Sequence, residues 1–251
     1  MVASRQLNSY IVSVGVTDKL TGYCASVRNP IDEQPEVAQF LLSIIQFLST
    51  LAETRCPENG TRLLEKLKDT ELMGAVSLLY GMLLHQGAPQ TLPSHTLGVT
   101  TATMKFLATC AQLQLKLFQS VLGAEGISLQ FRHIASYLLW YCSQNKTESE
   151  LLHQVVEIVG YFAVGNNENQ LMLQTGHMPT VLQQLCNLPF PYFSNPKLTK
   201  LLFPVLLACI QGCPENRAIL DQELSYQLLE EFRNSEEAKS LPLIKILETI
   251  K

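Results

Sequence analysis

Between Pro35 and Arg55 the apolar side chains fall at steps of three and four: Val37, Phe40, Leu41, Ile44, Ile45, Leu48 and Leu51. That is one stripe of a 3.6-residue helix, with Glu36, Gln39, Ser43, Gln46 and Glu53 on the other side. Pro35 suits a first helical position, where its missing N–H costs nothing. Burying each such side chain contributes roughly 1.5–3 kcal/mol, so a stripe of this kind predicts a helix that packs on neighbours.

The same period recurs along the rest of the chain. It predicts further helices near 5–14, 18–27, 61–68, 71–86, 98–112, 114–122, 127–143, 148–164, 168–174, 178–187, 196–211, 215–221, 223–233 and 237–249. No alternating run bounded by turn residues predicts a strand. Thr147 followed by Glu150 reads as a capping box opening the 148–164 helix, and Thr70 as a weaker cap for 71–86. Gly176 and Gly212 stand where helices end. Gly87–Leu97, with Pro89 and Pro93, is the longer loop; Pro189 and Pro191, among Phe190, Tyr192 and Phe193, make a stiffer connection. Pro204 lies inside an otherwise helical run and is expected to kink or split it.

The helices repeat. Gly165-Asn166-Asn167-Glu168-Asn169-Gln170, followed by Leu173 and Leu182, lies on Gly212-Cys213-Pro214-Glu215-Asn216-Arg217, followed by Leu220 and Leu229, at a constant offset of 47 residues. Cys56-Pro57-Glu58-Asn59 repeats the letters of Cys213 to Asn216, and Gly126 precedes Gly176 by 50 positions. Units of forty-odd residues built from a long helix, a turn, a short helix, a glycine and another helix are the pattern of armadillo and HEAT arrays. One unit cannot bury its apolar faces alone, so units stack. The fold expected is all-α, an armadillo/HEAT-like helical-repeat solenoid forming a single domain over 1–251, with helices 223–251 as its cap.

Composition narrows the function. The net charge is −4, only 16% of residues are charged, and the 18 Lys and Arg form no basic stripe, which argues against direct nucleic-acid binding. Seven cysteines, Cys24, Cys56, Cys110, Cys142, Cys186, Cys209 and Cys213, are scattered through apolar helical runs with no C-x-x-C pair. They read as reduced core residues in a reducing compartment. Met1–Tyr10 lacks the apolar segment of a signal peptide, and the run Leu198–Ile210 is too short to span a bilayer. Membrane association is therefore expected to come from other regions or partners.

No catalytic set assembles from the sequence. Glu150-x-x-His153 is half of a carboxylate-bridged di-iron motif, but no second copy exists, and the period places Glu150, His153 and Glu157 on the wet side of their helix. Cys209 and Cys213 share a helix end without a nearby histidine to complete a metal site. Phosphate-binding and nucleophile-elbow motifs are missing too, and Gly123-Ala124-Glu125-Gly126 is a helix-ending turn. The expectation is a non-enzyme without cofactor or metal. A binding constellation does emerge on the 127–143 helix. Opposite a core stripe of Ile127, Phe131, Ile134, Leu138 and Cys142 run His133, Tyr137, Trp140 and Gln144. Trp140 is the single tryptophan, and an outward Trp beside a Tyr is a hot-spot candidate for protein binding; the alternative is that neighbouring repeats bury both.

Several blocks carry a family resemblance. Gly123 to Ser128, Phe131-Arg132-His133-Ile134-Ala135-Ser136 and Cys142-Ser143-Gln144 are among them. So are Val159-Gly160-Tyr161-Phe162, Pro179-Thr180-Val181-Leu182-Gln183, and Leu188-Pro189-Phe190 with Tyr192-Phe193-Ser194. Nearer the start, Val12 to Val16, Asp18-Lys19-Leu20 and Asn29 to Glu33 fit as well. Together, over most of residues 8–232, they resemble the C-terminal domain of the S phase cyclin A-associated proteins of the endoplasmic reticulum. The resemblance implies an adaptor that binds cyclin A with its kinase, holds it in the cytoplasm, associates with the endoplasmic reticulum, and takes part in ribosome-linked decay of tubulin messages. That family's zinc finger has no counterpart here, since no C-x₂₋₄-C…H-x₃₋₅-H pattern occurs. The readings left open are a protein-binding adaptor, a purely structural module of a longer chain, and an RNA-contacting repeat scaffold.

Overall fold

A computed structural model of the chain describes residues 2–54, 70–145 and 149–250. Every regular element among them is helical. The first seven helices are α1 (Val2–Ser13), α2 (Val16–Ser26), α3 (Pro35–Glu53), α4 (Thr70–Leu83), α5 (Ser94–Leu113), α6 (Leu115–Leu122) and α7 (Ile127–Gln144). Then come α8 (Ser149–Ala163), α9 (Asn167–Leu173), α10 (Val181–Cys186), α11 (Pro191–Ser194), α12 (Pro196–Ile210), α13 (Pro214–Glu223), α14 (Tyr226–Arg233) and α15 (Pro242–Thr249). The chain divides into two compact units, Met1–Ile134 and Ala135–Lys251, the division falling within α7. The helix expected at 61–68, the Cys56–Asn59 turn and the Thr147 cap lie outside the described residues.

In the first unit α2 packs on α4 and α3 on α5, with α6 against α4 and α5. Pro35 opens α3 as its sequence position requires, and Ala38, Leu41, Ile44, Ile45, Leu48, Leu51 and Ala52 are buried. α3 is long and apolar enough to cross a bilayer by length and composition, yet this stripe faces protein. Phe40 departs from the stripe: it is 49% exposed and meets the edge of Tyr23 at 5.2 Å. The period alone makes an apolar stripe too wide, and Ala38 takes the buried place instead. α2 and α4 run in the same direction, because Gly74 faces Thr21 and Gly81 faces the Val27 carbonyl. A Cβ on Gly74 would sit 3.0 Å from Thr21, and one on Gly81 would collide with the Val27 oxygen. The two glycines thus let two backbones approach more closely than any side chain permits.

Several helices depart from the sequence expectation, four of them for reasons visible in the structure. α5 begins at Ser94, four residues before the expected start, because Thr96 donates to Asp32 (2.9 Å) and His95 Nε2 lies 3.0 Å from the Ile31 carbonyl. Those partners are distant in sequence and invisible to periodicity. α10 begins only at Val181, where Thr180 and Gln183 cap each other reciprocally. α12 passes unbroken through Pro204, which is buried. The expected 237–249 helix is a 3₁₀ turn at Ala238–Ser240 followed by α15, with Pro242 in its first turn.

The second unit stacks α8 on α12 and sets α13 against α9, α10 and α12. Its two 47-residue copies share three hydrogen bonds at equivalent positions, while the Asn166 side-chain cap of the first has no counterpart at Cys213. The Asn169 side chain donates to the Phe162 carbonyl (3.0 Å), and that of Asn216 to the Cys209 carbonyl (2.8 Å), each seven residues back. Val164 N–H reaches Gly160 as Gln211 N–H reaches Leu207. Asn166 N–H reaches Ala163 as Cys213 N–H reaches Ile210. Gly165 (φ 62°) and Gly212 (φ 81°) turn the chain in the left-handed region after each long helix, a role glycine fills without strain.

A helix end leaves its last four carbonyls without intrahelical donors. At the end of α12 all four are satisfied. Leu207 and Ile210 accept the main-chain bonds just named, Cys209 accepts from Asn216, and Ala208 accepts from Gln170 at 2.8 Å. Gln170 also donates to the Gln211 carbonyl (2.9 Å), and Asn216 to the Gln170 carbonyl (2.8 Å). The Gln211 side chain continues the chain of bonds to the Leu247 carbonyl of α15 (3.1 Å). Gln170 is 1% exposed and Asn216 fully buried, so water cannot replace these donors. Truncating Asn216 to alanine strands two buried carbonyls and is expected to destabilise the second unit by about 2–4 kcal/mol, since each orphaned buried acceptor costs roughly 1–3 kcal/mol. Denaturant titration of Asn216→Ala beside an exposed control such as Asn187→Ala checks this.

Candidate protein-binding surface

α7 owes its orientation to its apolar stripe. Phe131, Ile134, Leu138 and Cys142 are buried, and Ile127 is half-buried at the helix start. The opposite face carries the four residues picked out from the sequence, and the structure treats them differently. His133 is exposed; its ring stacks on Tyr80 at 6.4 Å, and its Nε2 lies 2.9 Å from Arg132 Nη2. A guanidinium can only donate, so Nε2 is the acceptor of that bond. Tyr137 is only 6% exposed and packs its ring against Trp140 (6.0 Å) and Tyr141 (5.9 Å). Trp140 is 41% exposed. Gln144 is exposed at the helix end, its amide donating to Ser143 at 3.3 Å.

The tryptophan is therefore half in water and half on a buried tyrosine. Its helix is held from behind: Gln184 donates to Ser136 Oγ (2.7 Å) and to the Pro179 carbonyl (3.0 Å), tying α10 and the segment before it to α7. A Trp fixed in this way presents a large apolar surface at little entropic cost.

The most exposed apolar side chains described in the second unit are Met178 (81%) and Phe190 (78%). Met178 precedes Pro179 and was hidden inside the expected 178–187 helix. Phe190 stands at the head of α11 between Pro189 and Pro191; the two prolines were the signal of a stiff projection, but sequence reasoning took them only for a connection.

His153 is not on a wet face as its helical position suggested. It is half-buried, meets the edge of Tyr192 at 5.9 Å, and burial lowers its pKa below the ordinary value of 6.5, with Glu150 opposing. Glu157 is half-buried as well. A histidine whose folded pKa is depressed favours the folded state only while neutral. Stability is therefore full above about pH 6.5 and falls as the pH drops below it, where the unfolded chain binds the extra proton. Replacing His153 with phenylalanine keeps a ring beside Tyr192 and removes the titration. Chemical denaturation between pH 5 and 7.5 is expected to show a shallower acid loss for His153→Phe than for the parent.

Five of the described thiols are held protonated by burial. Burial pushes Cys24 up to about 11 and Cys186 up to about 12, and raises Cys110, Cys209 and Cys213 as well. Protonated thiols of this kind neither attack nor bind metal readily. Cys209 lies in α12 and Cys213 caps α13; among the described residues no three His, Cys, Asp or Glu side chains gather as a metal site.

No family model matches the chain. Over 250 residues it is 40% identical to S phase cyclin A-associated protein in the endoplasmic reticulum, of Homo sapiens. The chain is similar to that protein over 91% of its own length. It spans 18% of the length of this relative. The likeness read from short blocks of residues thus holds over nearly the whole chain, while most of the relative has no counterpart in it.

Proposed function

We propose that the chain is an armadillo/HEAT-like helical-repeat adaptor that binds protein partners and performs no catalysis. The matched hydrogen bonds of the two 47-residue copies support the repeat architecture, and the exposure of Trp140 on a buttressed helix carries the binding role. His133, Tyr137, Trp140 and Gln144 mark the surface, with Trp140 as the contact and Tyr137 as its support. The similar protein is cyclin A-associated by name, so the first partner to test is a cyclin A–kinase complex; ribosome-associated factors are the second. By the same likeness the site of action is the cytoplasm, at the endoplasmic reticulum through other regions or partners.

A hot-spot tryptophan and a core tryptophan respond differently to truncation. Trp140→Ala is expected to weaken capture of the cyclin A–kinase complex at least about tenfold, the size of a typical hot spot. Thermal stability should change little. Tyr137→Ala removes a buried ring and is expected to lower stability by about 3 kcal/mol, with binding lost in consequence. Biolayer interferometry paired with thermal melts separates the two. Capture that falls for Trp140→Ala only in proportion to lost folding, or no capture of cyclin A–kinase or ribosomal factors by the parent chain, would overturn the adaptor reading.

A further inference from the structure

Ser143 stands one turn beyond Trp140 on the same side of α7, and both side chains are exposed. Its hydroxyl donates to the Trp140 carbonyl at 2.7 Å, and the Gln144 amide donates to its Oγ at 3.3 Å. The group thus touches the main chain of the tryptophan on which the binding role depends. From Ala135 to Asn145 the sequence carries no Asp, Glu, Lys or Arg. The last turn of α7 has no basic side chain. A negative charge placed on Ser143 therefore stands beside an exposed ring and against the negative end of the helix dipole.

Ser143 is also the single serine or threonine of the chain that is followed by glutamine. Glutamine-directed serine/threonine kinases choose their target by that next residue. None of the chain's serines or threonines is followed by proline, so a proline-directed kinase finds no site here. Ser143 is the penultimate residue of α7, which ends at Gln144. A kinase takes its substrate extended, and here only the last turn has to open, where helix ends fray at little cost.

We propose that Ser143 is a phosphorylation site for a glutamine-directed kinase, and that the phosphate releases the protein partner held at Trp140, an effect that rests on the adaptor reading above. In the transfer, Ser143 Oγ attacks the γ-phosphorus of magnesium-ATP. The bond from that phosphorus to the β–γ bridging oxygen breaks, ADP leaves, and the hydroxyl proton passes to the kinase's carboxylate base. The product carries about −1.5 to −2 charge at pH 7 and three strong acceptor oxygens. The hydroxyl donor to the Trp140 carbonyl is gone, so acceptors now face an acceptor. The same charge weakens the last turn of α7, because an anion at a helix C-terminus opposes the dipole. A partner that covers Trp140 must then strip water from the phosphate or leave the ring, and either weakens binding.

The test treats the full chain with a glutamine-directed kinase and magnesium-ATP, beside Ser143→Ala, and then removes the nucleotide. Intact mass and fragment mapping are expected to show phosphate on Ser143 of the parent and no phosphate on Ser143→Ala. Biolayer interferometry is expected to show capture of the cyclin A–kinase complex weakened at least about tenfold by the phosphate, as for a charge forced into an interface that offers it no partner. Unphosphorylated Ser143→Ala should bind as the parent does, and Ser143→Glu should fall between. Hydrogen exchange is expected to quicken in the last turn of α7 on phosphorylation, with α12 and α13 unchanged. No phosphate at Ser143, or a phosphorylated chain that binds as tightly as the parent, overturns the proposal. A parent that captures no complex overturns the adaptor reading instead; the site is then decided by mass, and its effect on α7 by exchange.

Discussion

Four carbonyl groups at the end of a buried helix must find donors, and the second unit is organised around that requirement. The last residues of α12, Ala208 to Ile210, are buried, and two side-chain amides do there what solvent does at an exposed helix end. Asn216 reaches back seven residues to Cys209 and sideways to Gln170; Gln170 reaches forward to Ala208 and Gln211. The orientation of the Asn216 amide follows from its surroundings, since two carbonyls can only be met by its nitrogen. This leaves its oxygen without a protein partner, a cost the two donated bonds offset. α9, α12 and α13 are thereby joined by polar bonds, over and above the apolar packing of α8 on α12. A charged or aliphatic residue at 216 could keep the volume but not the bonds.

This constraint also explains what was legible in the sequence. The Glu-Asn turn stood out at a 47-residue offset because the asparagine has a backbone job that neither Ser nor Asp can do with two donated bonds. The long helices were legible because their apolar stripes are continuous. Phe40 was misplaced because period alone cannot tell a buried stripe from its exposed margin, and Ala38 carries too weak an apolar signal to claim the core place. The true start of α5 depends on Asp32 and Ile31, more than sixty residues away, so no local rule could find it. Pro204 was read as a break, yet tertiary burial on every side holds α12 through it.

The binding surface was legible in part, and for a related reason. A single Trp on the face opposite a core stripe is a clear signal, but its exposure depends on neighbours. Tyr137, on the same face, is buried, and Trp140, one turn on, is not. The polar face of a helix in a stack is shared between solvent and the next helix, and period does not apportion it. Met178 and Phe190 show the complementary case: their exposure arises from the segments flanking α10, whose short length is set by the Thr180–Gln183 cap and not by hydrophobic pattern. Burial meanwhile raises the pKa of Cys24, Cys110, Cys186, Cys209 and Cys213.

The amide bonds at the end of α12 join the helices of the second unit into one cooperative block. Native-state hydrogen exchange across the second unit tests it most directly. The account predicts that the amides of α8, α9, α12 and α13 exchange through one shared opening with a common free energy and a common dependence on denaturant. Exchange of α13 through a separate, low-energy opening while α8 stays fully protected would contradict it.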